Sequence, residues 1–391
     1  MFLFTDISFW IFFAFTLLGL SLFYNRLPLR NGFLFLCSII LYFLIGGWLA
    51  IAVLLFSITV NYFCGLFRRL FSVILAITIN IILYAALLTQ DFPQTTFGST
   101  LPLLYALPFG VSFYTLSAIS YIVDVYKRRI NPVRNFIDFG FYLSFFPTAA
   151  AGPVLRATDF IPQLRKYYQV TGREFSAALF LILGGLVKIV AADFIALHFN
   201  LEGWLSMYGY AVQIYCIFSG YTDIAIGAAA LLGFKIPVNF NSPYKATSLI
   251  DFCNRWYISF FDWLYDYVYI PLGGKRRRIR TKSNFWMRLA GFLLTFHIVC
   301  FLCVILRADT FDNAVLMVQK LFTPITASWT TTLTANALSL SLTAIILIIH
   351  LLPVRIKNFY KETFYNLPLI VKFLITLAVL TILFFFKTTC F

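Results

Sequence analysis

Apolar stretches recur along nearly the whole chain, at about 7–24, 32–45, 48–67, 70–89, 102–123, 135–151, 174–197, 206–234, 285–306, 332–352 and 366–386, with only short polar breaks between them. Stretches of this kind predict membrane-crossing helices. The expected fold is therefore all-α, a polytopic membrane helix bundle of about 10 to 12 spans with added interfacial and re-entrant helices. Basic residues follow alternate stretches. Arg26 and Arg30 come after the first, Arg68 and Arg69 after the third, and Lys127, Arg128 and Arg129 after the fifth. The second connection and the 90–100 loop carry no Lys or Arg, so the positive-inside rule places the N-terminus outside and the basic clusters in the cytoplasm. Residues 1–6 lack the basic region and cleavage site of a secretory signal peptide, and the first stretch is expected to remain as a span.

Two regions break the pattern. From 131 to 168 and from 235 to 282, apolar residues mix with Pro, Asn, Asp and Arg, which in lipid would leave polar groups unbonded. Such segments must be buried in protein, lie at the interface or line a wet cavity. Between 248 and 270, Phe252, Trp256, Phe260, Trp263, Tyr267 and Ile270 fall near helical spacing among Asp251, Arg255, Asp262 and Asp266, which predicts an amphipathic interfacial helix. Lys275, Arg276, Arg277, Arg278, Arg280 and Lys282 follow it as a cytoplasmic basic cluster, suited to anchoring on anionic lipid or attracting an anionic ligand.

Composition agrees with the pattern. Of 391 residues, 61% are hydrophobic and 12% charged, with 47 Phe and a mean hydropathy of +0.88, which excludes a water-soluble domain of this size. The net charge of +15 belongs to the cytoplasmic loops, and no nucleic-acid partner is needed to account for it. The seven cysteines mostly lie inside apolar runs and describe no disulfide framework. Cys300 and Cys303 form a C-x-x-C, but inside a span pattern without flanking polar ligands, so no metal site is expected.

Four polar-rich strings, in order, carry a resemblance. They are Leu107-Pro-Phe-Gly-Val-Ser-Phe-Tyr-Thr running on to Asp124; Ser144-Phe-Phe-Pro147 with Ala151-Gly-Pro153-Val-Leu-Arg156 and Phe160-Ile-Pro162-Gln163; Ser219-Gly-Tyr-Thr-Asp223 through Asn239 and Pro243-Tyr244; and Asn254-Arg255-Trp256-Tyr257-Ile-Ser through Trp263 and Asp266 to Gly273-Gly274. Together they resemble the membrane-bound O-acyltransferase (MBOAT) family, in the branch that acylates alginate, other exopolysaccharides and teichoic acids. The resemblance divides the chain into N-terminal membrane helices (1–100), a motif-bearing core (101–274) and C-terminal membrane helices (275–391) that are short for the family. It implies a central tunnel, reached from the cytoplasm by an acyl donor and from outside by a polysaccharide hydroxyl. It also implies acetyl-CoA or an acyl carrier thioester as co-substrate with no bound cofactor, a carrier protein and an extracytoplasmic acyltransferase as partners, and the bacterial inner membrane as location. The resemblance makes Asp223, Asn239, Tyr244, Asn254, Arg255, Trp256 and Asp266 the candidate tunnel or substrate residues. Polar groups inside an apolar bundle are where such chemistry resides.

The chain departs from the family at the catalytic positions. Active members carry a His directly after the Trp of the Arg-Trp string, where this chain has Tyr257, and a catalytic His in a downstream Trp-His-Gly segment. No Trp-His or His-Gly pair occurs here, and only 32 residues separate Gly274 from Arg307-Ala308, which resembles a later family element. The expectation is a chain without the passes that carry that histidine. His297, inside a span pattern, is the remaining candidate base and also a candidate structural hydrogen bonder, whereas His198 and His350 near span ends read as interfacial. Tyr257, neutral at physiological pH, is a candidate hydrogen-bond donor or a packed aromatic. Asp223 reads as tunnel-lining or as paired with Lys188; Arg156 and Gln163 as holding backbone that Pro147, Pro153 and Pro162 interrupt; Asp124 as an interface cap beside Lys127 and Arg128. Three functions compete: a working O-acyltransferase, an inactive relative acting as scaffold, and a transporter, the last disfavoured because no inverted repeat is visible.

Overall fold

The computed structural model describes residues 4–88, 110–167, 169–199, 203–274, 284–308, 310–322, 334 and 336–390. The basic cluster from Lys275 to Lys282 and the start of the fifth predicted span lie outside these residues. Among the described residues the chain is helical without a β-strand. An apolar chain in lipid has this solution because a helix bonds its own backbone.

Asp6 caps α1 (Ile7–Phe23) by accepting the Ser8 N–H at 3.0 Å. The second and third apolar stretches form one 40-residue helix, α2 (Leu27–Leu66), kinked at Gly47, whose φ of +63° and ψ of −161° suit glycine. α3 (Leu70–Leu88) is fastened to α2 by Asn61 and Asn80, whose side-chain amides exchange hydrogen bonds at 3.3 and 2.9 Å. Such interhelical bonds contribute about 1 kcal/mol in lipid. α4 (Val111–Tyr126) follows.

The stretch at 135–151 is divided rather than a single span. It gives α5 (Phe136–Ser144) and α6 (Phe146–Ala149), with Phe145 outside helical dihedrals between them. Pro147 explains the break, since it has no N–H to donate and its ring clashes with the carbonyl four residues back. α7 (Ala157–Leu164) ends at Arg30, whose guanidinium donates to the carbonyls of Leu164 and Lys166, both at 3.0 Å.

At the centre lies the hairpin of α8 (Gly172–His198) and α9 (Ser206–Leu231). A Cβ on Gly185 would come 2.6 Å from the Gly220 carbonyl, and one on Gly220 would come 2.8 Å from the Gly185 carbonyl. The two glycines thus bring the backbones into contact, as small residues do between membrane helices. α8 opens on a capping box, in which Thr171 Oγ1 accepts the Glu174 N–H at 3.3 Å and Glu174 Oε2 accepts the Thr171 N–H at 3.0 Å.

The segment 248–270 is α10 (Leu249–Cys253), α11 (Ile258–Leu264) and a π-helical turn (Tyr265–Tyr269), not one amphipathic helix. It breaks because its backbone pairs elsewhere: the Asn241 N–H donates to the Arg255 carbonyl and the Ile258 N–H to the Asn239 carbonyl, both at 2.9 Å. Then come α12 (Phe285–Leu306), α13 (Phe311–Leu321), α14 (Ala337–Leu351), α15 (Val354–Asn366) and α16 (Leu369–Cys390). α14 and α15 meet at 97° across Leu352-Pro353. α12 and α14 pack on α9, and α14, α15 and α16 pack on α8. Among the described residues, α2, α3, α8, α9, α12 and α16 are long and apolar enough to cross a membrane.

Candidate functional site

Residues 150–156 run through the interior as largely non-helical backbone, and four side chains from α5, α9 and the start of α11 bond it. The Ala151 carbonyl accepts Thr222 Oγ1 at 3.0 Å and the Tyr257 hydroxyl at 3.1 Å, and the Gly152 carbonyl accepts the same hydroxyl at 2.9 Å. The Val154 N–H donates to Ser259 Oγ at 2.9 Å, and the Leu155 carbonyl accepts the Tyr142 hydroxyl at 3.2 Å. Irregular backbone within a bundle persists only where protein bonds it in this way.

Tyr257 is therefore a clamp. It sits in the left-handed region (φ +44°, ψ +53°) at the head of α11, with its ring against Phe218 and Phe240 at 5.9 and 5.8 Å. Burial pushes its hydroxyl well above the ordinary tyrosine value, so it stays protonated and donates. A non-glycine residue held there costs about 1–3 kcal/mol and persists because its surroundings fix it.

The segment after α9 is also non-helical. Asn239 is fully buried; its Oδ1 accepts the Ser259 N–H at 3.0 Å, while its Nδ2 has no partner among the described residues. The Tyr244 hydroxyl donates to the Ala211 carbonyl at 2.6 Å, and the Tyr244 N–H donates to His350 Nε2 at 3.0 Å. His350, read from sequence as interfacial, is 4% exposed and lies edge-on to Tyr215 at 4.7 Å. It is buried because the turn at 243–245 folds back over the end of α14.

Lys188 on α8 pairs with Asp223 on α9, donates to Ser219 Oγ at 2.8 Å and lies 5.7 Å from the centre of the Tyr215 ring. The Lys188 and Asp223 side chains are 29% and 20% exposed, so the pair is partly accessible rather than sealed in the core. Of the two readings of Asp223, the structure shows the pairing with Lys188. Tyr215, Ser219 and Asp223 share a face of α9 at i, i+4 and i+8. That spacing was available in the sequence.

The other charges form separate ties. Arg156 donates to Asp266 Oδ2 at 2.6 Å and lies over the Tyr267 ring at 5.5 Å. Gln163 holds backbone as expected, with its Nε2 donating to the Lys235 carbonyl and its Oε1 accepting the Lys235 N–H. Asp124 is 1% exposed; it accepts Arg129 at 3.0 Å and the Tyr267 hydroxyl at 2.6 Å, in place of the expected Lys127 and Arg128. Arg255 pairs with Asp251 at 2.8 Å, Asn254 is exposed beyond α10, and Trp256 stacks on Phe252 at 5.4 Å.

Asp223, Asn239, Tyr244, Trp256 and Tyr257 therefore gather around α9, with Asp266 tied in through Arg156. His297 does not join them. It is exposed on α12, with Nδ1 at 2.7 Å from the Leu293 carbonyl and Nε2 at 3.0 Å from the Tyr208 hydroxyl. Its neighbour Phe296 turns inward against Tyr244 at 5.7 Å. Cys300 and Cys303 are buried, and among the described residues no group of His, Cys, Asp and Glu is arranged to hold a metal ion.

Residues 127–301, which include this interior, match the model of the membrane-bound O-acyltransferase family. This region is an MBOAT domain. Relatives of the domain include a probable alginate O-acetylase AlgI of Pseudomonas syringae pv. tomato, 38% identical over 194 residues that cover 47% of this chain and 38% of that protein. A peptidoglycan O-acetyltransferase of Helicobacter pylori is 33% identical over 275 residues, covering 56% of this chain and 51% of the relative. A teichoic acid D-alanyltransferase of Bacillus subtilis is 28% identical over 177 residues, covering 41% and 44%. The chain thus spans between 38% and 51% of the length of these three relatives. Since 56% of 391 residues is about 219, about 56 of the 275 positions aligned with the H. pylori protein have no counterpart here.

Proposed function

We propose that this chain takes part in O-acylation, acetylation foremost, of a polysaccharide outside the cytoplasm, and that it holds the acyl group without transferring it unaided. One observation carries the reading: within an MBOAT domain, the bonded 150–156 backbone, Asn239 and the Lys188–Asp223 pair converge on an interior where His350 Nε2 already accepts a backbone N–H and from which His297 is turned away to Tyr208. The donor is a cytoplasmic thioester, acetyl-CoA or an acyl carrier, and the acceptor approaches from the opposite face. The location is the bacterial cytoplasmic membrane, with a carrier protein and an extracytoplasmic acyltransferase as partners.

The chemistry needs a base for the acceptor hydroxyl and donors for the developing oxyanion. Lys188 and the Asn239 Nδ2–H are of the donor kind. The Tyr257 hydroxyl is committed to two carbonyls, and His350 Nε2 to a backbone N–H. A base supplied by another segment or partner completes the site. The aligned positions of the H. pylori relative that have no counterpart here support that reading.

A second reading, a self-sufficient transferase, has one observation in its favour: the His297–Tyr208 bond gives that histidine a defined orientation.

A photoreactive diazirine on the acyl chain of a CoA thioester tests the first reading. Crosslinks are expected in the peptides containing residues 150–156 and 239–244, and competition by unlabelled acyl-CoA is expected to remove them. Crosslinks confined to the outer faces of α12 and α16 would overturn it.

A further inference from the structure

At the junction of α14 and α15, Lys245 and Lys357 form no ion pair with a carboxylate among the described residues. Lys357, from the first turn of α15, donates to the His350 carbonyl at 2.6 Å and to Ser242 Oγ at 2.8 Å. Lys245, from the 3₁₀ turn Pro243–Lys245, donates to the Leu352 carbonyl at 2.6 Å. Both side chains are half-buried. The carboxylates in this region are engaged: Asp251 pairs with Arg255, Asp223 with Lys188, and Glu362 with Arg173.

Two ammonium groups from separate segments thus converge on one helix end. The carbonyls of His350 and Leu352 at this helix C-terminus account for one proton on each lysine, and Ser242 Oγ for a second on Lys357. An ammonium has three, so three N–H donors remain between the two lysines. Half-burying like charges side by side is unfavourable. Burial and then the nearby Arg255 also push the Lys245 ammonium below the ordinary lysine value. Ser242, which accepts from Lys357, is held in the left-handed region at φ +48° before Pro243, so the turn that brings the lysines together is itself constrained.

The position relates the cluster to the interior. The first turn of α15 bonds the carbonyl of His350, whose ring touches Tyr215 beside Lys188. The far end of α15 is tied to the start of α8 by Arg173 and Glu362 at 2.7 Å. α15 therefore leads from the basic end of α8, where Arg173 and Lys235 lie, to the polar interior.

We infer that Lys245 and Lys357 form an anion site for a phosphate group beside the acyl-binding interior. Lysine binds phosphate as a point charge through whichever N–H groups are free. The phosphate belongs either to a thioester donor of the phosphopantetheine type or to an anionic lipid headgroup. Assigning it to the donor rests on the function proposed above, but the site itself does not, and its test needs no turnover.

Coenzyme A, phosphate-free pantetheine and a uronate oligosaccharide are each titrated into the full chain in phosphatidylcholine nanodiscs. Parallel nanodiscs contain phosphatidylglycerol. Wild-type protein is then labelled with an amine-reactive acetylating reagent, and protection of Lys245 and Lys357 is read by peptide mass spectrometry, so that location does not depend on any variant folding. The expected result is saturable binding of coenzyme A, at least tenfold weaker binding of pantetheine, and protection of both lysines while Lys361 stays reactive. Lys245→Gln with Lys357→Gln is expected to weaken binding at least tenfold, and Lys357→Arg to retain it. Protection by phosphatidylglycerol alone supports the site and names the lipid as the source. No protection by either phosphate ligand, or protection by the uronate instead, overturns it. Failure of acyl crosslinking with the lysines still protected would overturn the proposed function and leave the anion site standing.

Discussion

Gly220→Val is expected to unfold the centre of the molecule. The new Cβ would lie 2.8 Å from both the Gly185 carbonyl and Ile189 Cγ1, and one of these obstacles is backbone that cannot swing aside. Overpacking typically costs about 1–3 kcal/mol, and contact with a fixed backbone places this substitution at or above the upper end. The damage reaches the interior, because Ser219 adjoins Gly220, Asp223 follows it by one turn, and Lys188 follows Gly185 by one turn. Thermal unfolding in detergent, followed by size-exclusion chromatography, should give a markedly lower midpoint and loss of the monodisperse peak. A variant as stable as the wild type would mean that the helices do not touch at these glycines.

Lys188→Met should be the most damaging change of a single charge. It leaves Asp223 facing an apolar bundle without its cation, and stranding one member of a fully buried pair costs about 3–5 kcal/mol. The pair is 29% and 20% exposed, so water recovers part of that and about 2–3 kcal/mol is expected. Adding Asp223→Leu should restore most of the loss, since replacing both partners by apolar groups is often neutral. The four proteins of the cycle are compared by unfolding midpoint. If the double variant is no better than Lys188→Met, the two side chains are not coupled and the interior pair is misassigned.

The helices were legible because lipid leaves little choice: a long apolar run must bond its own backbone, and α8, α9, α12 and α16 appear close to where hydropathy alone puts them. Breaks were harder to read. Hydropathy divides the second and third stretches at 45–48, whereas Gly47 kinks a helix without ending it. It runs through Phe145, where Pro147 two residues on breaks the helix. The segment 248–270 has helical spacing, but its backbone is claimed at 239–241 by residues that periodicity does not consult.

The site was legible where residues lie on one helix, as with Tyr215, Ser219 and Asp223, and where opposite charges stood out in apolar surroundings, as with Lys188 and Asp223. It was not legible where a side chain bonds backbone far away in sequence. The bonds from Tyr257 to Ala151 and Gly152 and from Tyr244 to His350 span about 105 residues. Nothing near His350 in sequence signals that it is buried, because the turn that covers it comes from another part of the chain.

The most direct test of whether this chain holds an acyl group without transferring it unaided is transfer itself. Membranes containing the chain, its His297→Ala variant, or the H. pylori peptidoglycan O-acetyltransferase as positive control are incubated with radiolabelled acetyl donor and a polysaccharide acceptor. Loss of a general base alone typically costs about 10²- to 10⁴-fold. The expected result is label on the acceptor with the control and at least a hundredfold less with this chain, unchanged by His297→Ala. Transfer at a rate comparable to the control, and abolished by His297→Ala, would contradict the account and make His297 the base.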